Sequence, residues 1–153
     1  MLESLPQVAI VRVRLPIDSV PHPRNFVTKL AGYRSVVDVT NSATIVDDLV
    51  RAIEAIIAQR ANGVFHAVNP GLISNHHVLE RYRALVDRGH AFDLVSEAEL
   101  YARGLALAPR SNCQVASARL EQLGIRFEPI DAALERVLHE YGRLWRSAPT
   151  LRA

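Results

Sequence analysis

The loop at residues 108–113, with the sequence APRSNC, carries the side chains best suited to binding an anion. The planar guanidinium of Arg110 can hold a phosphate in a bidentate geometry, and the carboxamide of Asn112 adds a second donor from the same loop. Pro109 fixes its own backbone angle and favours an extended Ala108, so the arginine is presented from a stiff segment. The pattern predicts a phosphate-binding loop. The alternative is a solvated charge or an ion-pair partner, which is the commoner fate of a loop arginine.

Other arrangements of reactive side chains do not occur in the sequence. The seven glycines never form G-x-G-x-x-G, and none of the four tyrosines is followed by a lysine four positions later. His76 and His77 are adjacent and would point about 100° apart on a helix, which disfavours chelation of one metal ion. Cys113 is expected to be a small buried side chain rather than a nucleophile. We therefore expect no catalytic residue and no metal site in this chain.

Composition favours one ordinary globular domain. The 153 residues are 49% hydrophobic and 22% charged, with a formal net charge of +2, and a chain of this kind can bury a sizeable core. The basic residues are scattered rather than clustered, which argues against a nucleic-acid partner. The sequence has one cysteine, no apolar run long enough to span a membrane and no signal-like segment after Met1. These features favour a cytoplasmic location without membrane association.

Hydrophobic periodicity predicts strands that alternate with the helices which must position these side chains. Strands are expected at residues 8–15, 36–39, 64–68 and, more weakly, 92–95. Helices are expected at residues 24–30, 44–61, 74–89, 96–104, 117–123 and from 129 onward. The order of these elements predicts a single α/β domain over residues 1–146, followed by a frayed tail at 147–153.

Several local signals set the expected helix ends. Thr44 and Ser96 each precede an acidic residue by three positions and are expected to begin helices with a capping box, and Ser74 is expected to cap the helix between them. Gly63 is expected to end the helix that Thr44 begins. The buried face of that helix is predicted to consist of Ile45, Leu49, Ile53, Ile56 and Ile57.

Five ordered motifs resemble one known family. They are VRVRLPI at 11–17, HPRNFVTK at 22–29, VDV with NSATI at 37–45, NPG at 69–71 and APRSN at 108–112. In this order the motifs resemble the carboxyl-terminal half of the nucleotide-sugar epimerase/reductases of rhamnose biosynthesis, in the extended short-chain dehydrogenase/reductase superfamily. The similarity extends over roughly residues 8–141. It implies the carboxyl-terminal portion of a Rossmann-like fold, with few short, mostly parallel strands and covering helices.

The resemblance also implies a ligand and the residues that bind it. Such proteins reduce a nucleotide-diphospho-4-keto-6-deoxy sugar with NAD(P), some after epimerising it, as in dTDP-4-dehydrorhamnose reductases. The Arg110 loop, with Asn112, resembles the segment that clasps the diphosphate. Asn25 and Lys29 are expected to contact sugar or phosphate, with Arg24 as a further binding residue or an ion-pair partner. The loop from Pro16 resembles the segment beside the nicotinamide.

The chain departs from this family in the part that performs the redox chemistry. The glycine-rich cofactor loop and the Tyr-x-x-x-Lys pair, which precede the resembling part in such proteins, do not occur here. We therefore expect a truncated, substrate-binding portion that is inactive alone, binds no cofactor by itself, and meets a Rossmann-half partner chain or a second copy. The alternative is a non-catalytic binding or interaction module derived from the same fold.

Overall fold

The structure is a computed structural model and describes residues 7–105 and 112–147. Short strands alternate with helices in the first two thirds of the chain, and helices follow. The described elements are β1 (Ala9–Arg12), β2 (Pro16–Ile17), α1 (Phe26–Ala31), β3 (Ser35–Val37), β4 (Thr40–Asn41), β5 (Thr44–Ile45), α2 (Val46–Ala58), β6 (Gly63–His66), β7 (Ile73–Ser74), α3 (Asn75–Leu85), β8 (Asp93–Val95), α4 (Glu97–Ala102), α5 (Ala118–Gln122) and α6 (Ile130–Ser147).

The described strands pair two by two, and most pairs are parallel. β1 pairs with β6, β2 with β5 and β3 with β8 in parallel, whereas β4 and β7 are antiparallel. In the longest pair Ala9 lies opposite Gly63 and Arg12 opposite His66. Parallel neighbours require long crossover connections, which are supplied here by the helices between the paired strands. The predicted α/β class with few short, mostly parallel strands is confirmed.

Two hydrophobic clusters hold these elements together. The larger one packs α1, α3 and α6 against β2, β5 and β7, with the Tyr141 ring fully buried within it. The smaller one lies between β6, α2 and α5 and centres on Phe65 and Leu120. The guanidinium carbon of Arg119 sits 5.1 Å from the centre of the Phe65 ring and closes the second cluster with a cation–π contact.

Several of the expected helix ends are confirmed. The Ser74 hydroxyl accepts a hydrogen bond from the backbone N–H of His77 at the start of α3. Ser96 and Glu99 form the expected reciprocal capping box at the start of α4. Gly104 and Gly124, which follow α4 and α5, take the left-handed conformations that make glycine suitable after a helix.

The start of α2 differs from the expectation. Its N-cap is Ile45, with no side-chain capping bond, so the predicted capping box at Thr44 is wrong. The Thr44 hydroxyl instead donates to the carbonyl of Ala67 at 2.6 Å, because β5 places this residue against the chain that leaves β6. Similarly, Gly63 does not end α2; it opens β6 with a φ of 99°.

The buried face of α2 matches the predicted one only in part. Ile45 and Ile56 are buried as expected, whereas Ile53 and Ile57 are 38% and 69% exposed. Asp48 is buried as well, and a buried carboxylate has no signature in a hydrophobic pattern.

None of the helices within residues 7–105 and 112–147 has the length and apolar character that a membrane span requires.

Candidate functional site

A cavity of about 160 Å³ opens where β1 ends and β3, β4, α1 and α4 meet. Its walls combine apolar and aromatic side chains with a few polar groups, which is the usual composition of a small-molecule site. The lining residues are Arg14, Leu15, Phe26, Leu30, Tyr33, Ser35, Val36, Val37, Val39, Asn41, Asn75, Glu97, Leu100, Tyr101, Leu105 and Asn112. Ligand pockets usually measure roughly 300–1,000 Å³, so a cavity of about 160 Å³ has room for only a part of a nucleotide-sized molecule.

Arg14 is the cationic residue among the described walls of this cavity. Its backbone N–H donates to the Thr44 hydroxyl at 3.1 Å, and its Nη2 donates to the Asn41 Oδ1 at 2.8 Å. The next residue, Leu15, has a φ of 41°, which a residue with a side chain rarely adopts. The chain therefore turns sharply after β1. Arg14 is held there by one hydrogen bond from its backbone and one from the end of its side chain.

Asn41 joins this arginine to the segment that follows the predicted anion loop. The side chain is 4% exposed, and its Oδ1 accepts both the Arg14 guanidinium and the backbone N–H of Cys113, the latter at 2.9 Å. The neighbouring Ser42 donates its backbone N–H to the Cys113 carbonyl and exchanges two hydrogen bonds with Val115 through its hydroxyl. The chain after Asn112 is therefore anchored along β4.

The five predicted substrate-binding residues fall into three groups. Asn112 lines the cavity and is exposed at its rim. Arg110, the centre of the predicted loop, lies outside the described residues. Asn25, Lys29 and Arg24 belong to α1 or the chain just before it and are not among the cavity walls.

Asn25 is the N-cap of α1 and organises the loop before it. Its Oδ1 accepts the N–H of Val27 at 3.1 Å, and its Nδ2 donates to the carbonyls of Asp18 and Val20 at 2.7 and 3.0 Å. Both halves of the carboxamide are therefore engaged within the protein. Lys29 and Arg24 are exposed.

Pro16 also lies beside the site rather than in it. It begins β2, opposite Thr44 of β5, and so continues the chain directly after Leu15. Proline has no N–H to donate to a neighbouring strand, and it is tolerated as the first residue of a strand, where that donor is not needed. The residue borders the turn that carries Arg14.

The remaining walls would suit an apolar or aromatic ring. Tyr33 and Tyr101 contribute phenol rings, and Tyr33 is 51% exposed. Phe26 and Leu100 supply apolar surface. Glu97, in the first turn of α4, is the acidic residue among the described walls. The described walls of the cavity thus combine a cationic side chain, an acidic side chain and aromatic rings.

The described part of the chain offers no cluster of side chains that could hold a metal ion. Within residues 7–105 and 112–147 no group of three or more histidine, cysteine, aspartate or glutamate side chains could hold a metal ion. His76 lies 3.5 Å from a Glu80 oxygen and His77 3.2 Å from an Asp131 oxygen, so the adjacent histidines face different partners. They do not converge on one point.

Sequence reasoning missed Arg14 and Asn41. Arg14 was visible only as one of two arginines that alternate with apolar residues at the end of a strand, and Asn41 only as a polar residue in a turn. Their hydrogen bond joins positions 27 residues apart, and the bond from Cys113 to Asn41 joins positions 72 residues apart. The signal available was their presence within two of the five family-like motifs.

The chain is similar in sequence to known nucleotide-sugar enzymes. A bifunctional dTDP-4-dehydrorhamnose 3,5-epimerase/dTDP-4-dehydrorhamnose reductase of Arabidopsis thaliana is 35% identical over 125 residues, which are 79% of this chain and 40% of the relative. A trifunctional UDP-glucose 4,6-dehydratase/UDP-4-keto-6-deoxy-D-glucose 3,5-epimerase/UDP-4-keto-L-rhamnose-reductase from the same plant is 32% identical over 80% of this chain and 18% of its own length. The chain thus spans less than half the length of these relatives and matches their carboxyl-terminal part. No protein-family model matches it.

Solved structures show the same relationship. The L780 UDP-rhamnose synthase of Acanthamoeba polyphaga mimivirus superposes with a TM-score of 0.76 and 26% identity, over 85% of this chain and 45% of that one. The dTDP-4-dehydrorhamnose reductase of Bacillus anthracis, solved in complex with NADP, superposes with a TM-score of 0.68 at 24% identity, over 86% of this chain and 48% of that one. The fold is therefore that of about half of a Rossmann-like reductase.

Proposed function

We propose that this chain, which is homologous to the carboxyl-terminal part of rhamnose-pathway nucleotide-sugar reductases, binds the substrate of such an enzyme. That substrate is a nucleotide-diphospho-4-keto-6-deoxy sugar. The observation that carries the proposal is the cavity at the end of β1. There Arg14 and Asn112 share one opening, and Asn112 belongs to the predicted anion loop, two residues after Arg110.

The diphosphate is proposed to bind to the Arg110 loop. A guanidinium recognises two phosphate oxygens at once, and Asn112 adds a neutral donor at the rim. The aromatic wall with Tyr33 and Tyr101 would pack against the flat part of the ligand. The exposed cations Lys29 and Arg24 would attract the ligand from α1, and Asn25 would support binding by fixing the loop before that helix.

The described residues do not fit an NAD(P) site by themselves. A dinucleotide pyrophosphate needs a glycine-rich turn from strand to helix, whereas the loop between β2 and α1 contains Pro21 and Pro23 and is closed by the hydrogen bonds of Asn25. We therefore propose that this chain alone binds substrate without transferring hydride. Pro16 would border a nicotinamide only when a dinucleotide-binding half is present.

The surface that would meet such a half is proposed to include the outer face of α2. Val50, Ile53 and Ile57 follow one another at helical spacing and are 49%, 38% and 69% exposed. Three large apolar side chains on one helix face are typical of a surface that another protein segment covers. The partner is proposed to be the dinucleotide-binding half, on the same polypeptide or on another, with a second copy of this chain as the alternative.

Thermal denaturation with nucleotide ligands tests the proposed function. A ligand that binds only the native state raises the Tm, so uridine diphosphate or deoxythymidine diphosphate should raise it for the wild-type chain. The Arg110→Ala variant should lose most of this shift, while Arg126→Ala, which removes an arginine outside the cavity walls, should keep it. A wild-type Tm that neither nucleotide changes would contradict the proposal.

A separate assay tests the expected lack of turnover. The purified chain should not oxidise NADPH in the presence of a 4-keto-6-deoxy nucleotide sugar, because the sequence contains no Tyr-x-x-x-Lys pair to supply the proton. Sustained NADPH oxidation by this chain alone would show that the redox machinery is present after all.

A further inference from the structure

The strand β1 has one edge that no other described strand pairs with. On its other side it pairs with β6, and the two form a parallel sheet of two strands. Among the described elements, β6 is also the only one that packs extensively against β1. Parallel strands normally lie inside larger sheets, and a row of unpaired N–H and C=O groups is a template for another strand. The outer edge of β1 therefore offers a place for one more strand.

The hydrogen bonds to β6 show which backbone groups lie on this outer edge. The carbonyls of Val8 and Arg12 each accept, at 2.8 Å, an N–H from β6 or from the residue that follows it. Such bonds use every second residue of a parallel strand, so the backbone groups of Ala9 and Val11 point away from β6. Within the part of the chain that the structure describes, these groups have no hydrogen-bond partner.

The sequence of β1 lacks the features that usually block a strand edge. Natural edges are blocked by proline, by charged side chains within the strand or by bulges. The strand reads AIVR, so it has no proline, and its charged residue is the last one. Its register with β6 is continuous over all four residues, without a bulge. Nothing in the strand itself therefore prevents further pairing.

We propose that the outer edge of β1 pairs in an antiparallel orientation with β1 of a second copy of this chain. A contact around a two-fold axis brings the same surface of both copies together, so one edge can complement itself. With the axis at Ile10, Ala9 of each copy lies opposite Val11 of the other. Residues paired in this way exchange both of their backbone hydrogen bonds, and all the outward groups of β1 are then satisfied.

The side chains favour this register over its alternatives. Ile10 of one copy faces Ile10 of the other, and Arg12 lies opposite Val8. A register centred on Arg12 would place two guanidiniums opposite each other, and like charges at that position destabilise a strand pair. A shift by one residue would set outward backbone groups against groups already bonded to β6. The register centred on Ile10 avoids both problems.

The contact is small, and the dimer is accordingly weak. Four residues on each side are far fewer than the roughly 20–30 residues per side of a stable interface. The pairing is therefore expected at the high concentrations of NMR samples. It requires neither a nucleotide nor a dinucleotide-binding half, so it is independent of the proposed function.

Amide hydrogen exchange at a series of protein concentrations tests the proposal. The Ile53→Lys and Ile57→Lys double variant is the background, because it removes association through the outer face of α2. The amides of Ala9 and Val11 should exchange more slowly as the concentration rises, by about two-fold when half of the chains are paired. The amide of Arg88, in the turn after α3, should keep its rate.

Sedimentation velocity of edge variants in the same background gives a second readout. Val11→Pro removes an outward N–H and leaves the bonds to β6 intact, since proline is tolerated where a strand edge faces solvent. This variant should stay monomeric at concentrations where the background protein dimerises. Val11→Ala, which keeps the N–H, is the matched control and should dimerise. Should Val11→Pro not fold, Ala9→Pro at an exposed position takes its place.

The register has its own test and each result has a definite meaning. In a mixture of labelled and unlabelled chains, an NOE between the α protons of Ile10 in the two copies is expected. Exchange rates of Ala9 and Val11 that do not depend on concentration would overturn the proposal. So would a dimer that the proline variants leave unchanged, because the copies would then meet elsewhere, or slowed exchange without the Ile10 NOE, because the strands would not be antiparallel around that residue.

Discussion

At the scale of single residues, the buried carboxylate of Asp48 depends on hydrogen-bond donors from its neighbours. Its side chain is fully buried and accepts hydrogen bonds from Asn69 and from the guanidinium of Arg51. Asn69 in turn accepts the N–H of Ile45 at 2.8 Å and donates to the carbonyl of Glu128 at 3.0 Å. One asparagine therefore joins the start of α2 to the chain that leads into α6.

Removing this asparagine should be costly. In Asn69→Ala the buried carboxylate of Asp48 loses a donor and the N–H of Ile45 loses its acceptor, so we expect the free energy of unfolding to fall by about 2–4 kcal/mol. Urea denaturation followed by circular dichroism measures it. Asn62→Ala, at an exposed position, is the matched control and should change stability little. A loss in Asn69→Ala no larger than in this control would show that the network does not stabilise the fold.

The buried tyrosines give the protein a predictable response to alkaline pH. Burial, and then the proximity of Tyr141 and Asp87, raise the pKa of Tyr82 well above its ordinary value of 10.0. The folded state thus holds the phenol proton more tightly than the unfolded state, so the contribution to stability is complete below pH 10 and is lost as the pH rises above it. Burial also raises the pKa of Tyr141.

Replacing Tyr82 should reduce the loss of stability at alkaline pH. Tyr82→Phe removes the titrating group and retains the ring that packs against Tyr141, with their centres 6.0 Å apart. Its urea midpoint should therefore decrease less than that of the wild type between pH 8 and about pH 11. Tyr33→Phe, at a half-exposed ring, should follow the wild type. Parallel curves for Tyr82→Phe and the wild type would show that Tyr82 ionisation does not drive the loss.

At the scale of elements, local signals succeeded where a few neighbouring residues decide the structure. Ser96 and Glu99 form the box that their spacing predicts, because both partners lie within one helical turn. Thr44 shows the opposite case. Its hydroxyl is taken by Ala67, 23 residues away, and a long-range contact of this kind leaves no trace in a local pattern. Ile53 and Ile57 of α2 were mispredicted for a similar reason, since the buried face of the helix turns toward Asp48 and Ala52 and away from them.

The start of β6 offers a test of a backbone requirement. Gly63 has a φ of 99°, and a Cβ there would approach the Arg119 guanidinium to 2.6–2.8 Å. Gly124 also has a positive φ, but a Cβ there would meet nothing within 4 Å. We expect Gly124→Ala to cost about 1–2 kcal/mol from backbone strain alone. Gly63→Ala should cost more, because Arg119 must also leave Phe65.

Urea denaturation of the two glycine variants measures the difference. The Gly63→Ala protein should have the lower midpoint, and its loss should shrink when Arg119→Ala is added, since the double variant removes the clash. Equal midpoints for Gly63→Ala and Gly124→Ala would contradict the role assigned to Arg119.

At the scale of the whole molecule, the sequence predicted the class of fold but not the cavity. The fold class could be inferred because the order of the motifs is read directly from the sequence, whereas the anion loop at 108–112 stays a prediction. The cavity itself needed the fold: Arg14, Asn41 and Cys113 come together only after β1, β4 and the chain beyond α4 are in place. The sequence could therefore predict the class of fold but not the contacts between Arg14, Asn41 and Cys113.

The outer face of α2 makes a prediction about association. If this face is an interaction surface, the chain alone should self-associate with increasing concentration, and Ile53→Lys with Ile57→Lys should reduce that association. Stability should change by no more than about 0.5 kcal/mol, as is usual for exposed positions. Sedimentation velocity over a range of concentrations measures this.

The control for this surface lies outside α2. Val20→Lys replaces an apolar side chain that is 50% exposed in the loop before α1, and it should leave the association unchanged. Sedimentation that is identical for the wild type and the α2 double variant would rule out a second copy of this chain as the partner of the outer face of α2.

The most direct test of the account is a nitrogen-edited NMR titration with uridine diphosphate, which reports binding and its location at once. The backbone signals of Arg14, Asn41, Asn112 and Cys113 should shift with saturation, and those of Arg51 and Arg136, which are not among the cavity walls, should not. Absence of any shift, or shifts confined to residues outside the cavity at the end of β1, would contradict the claim that this chain binds a nucleotide sugar there.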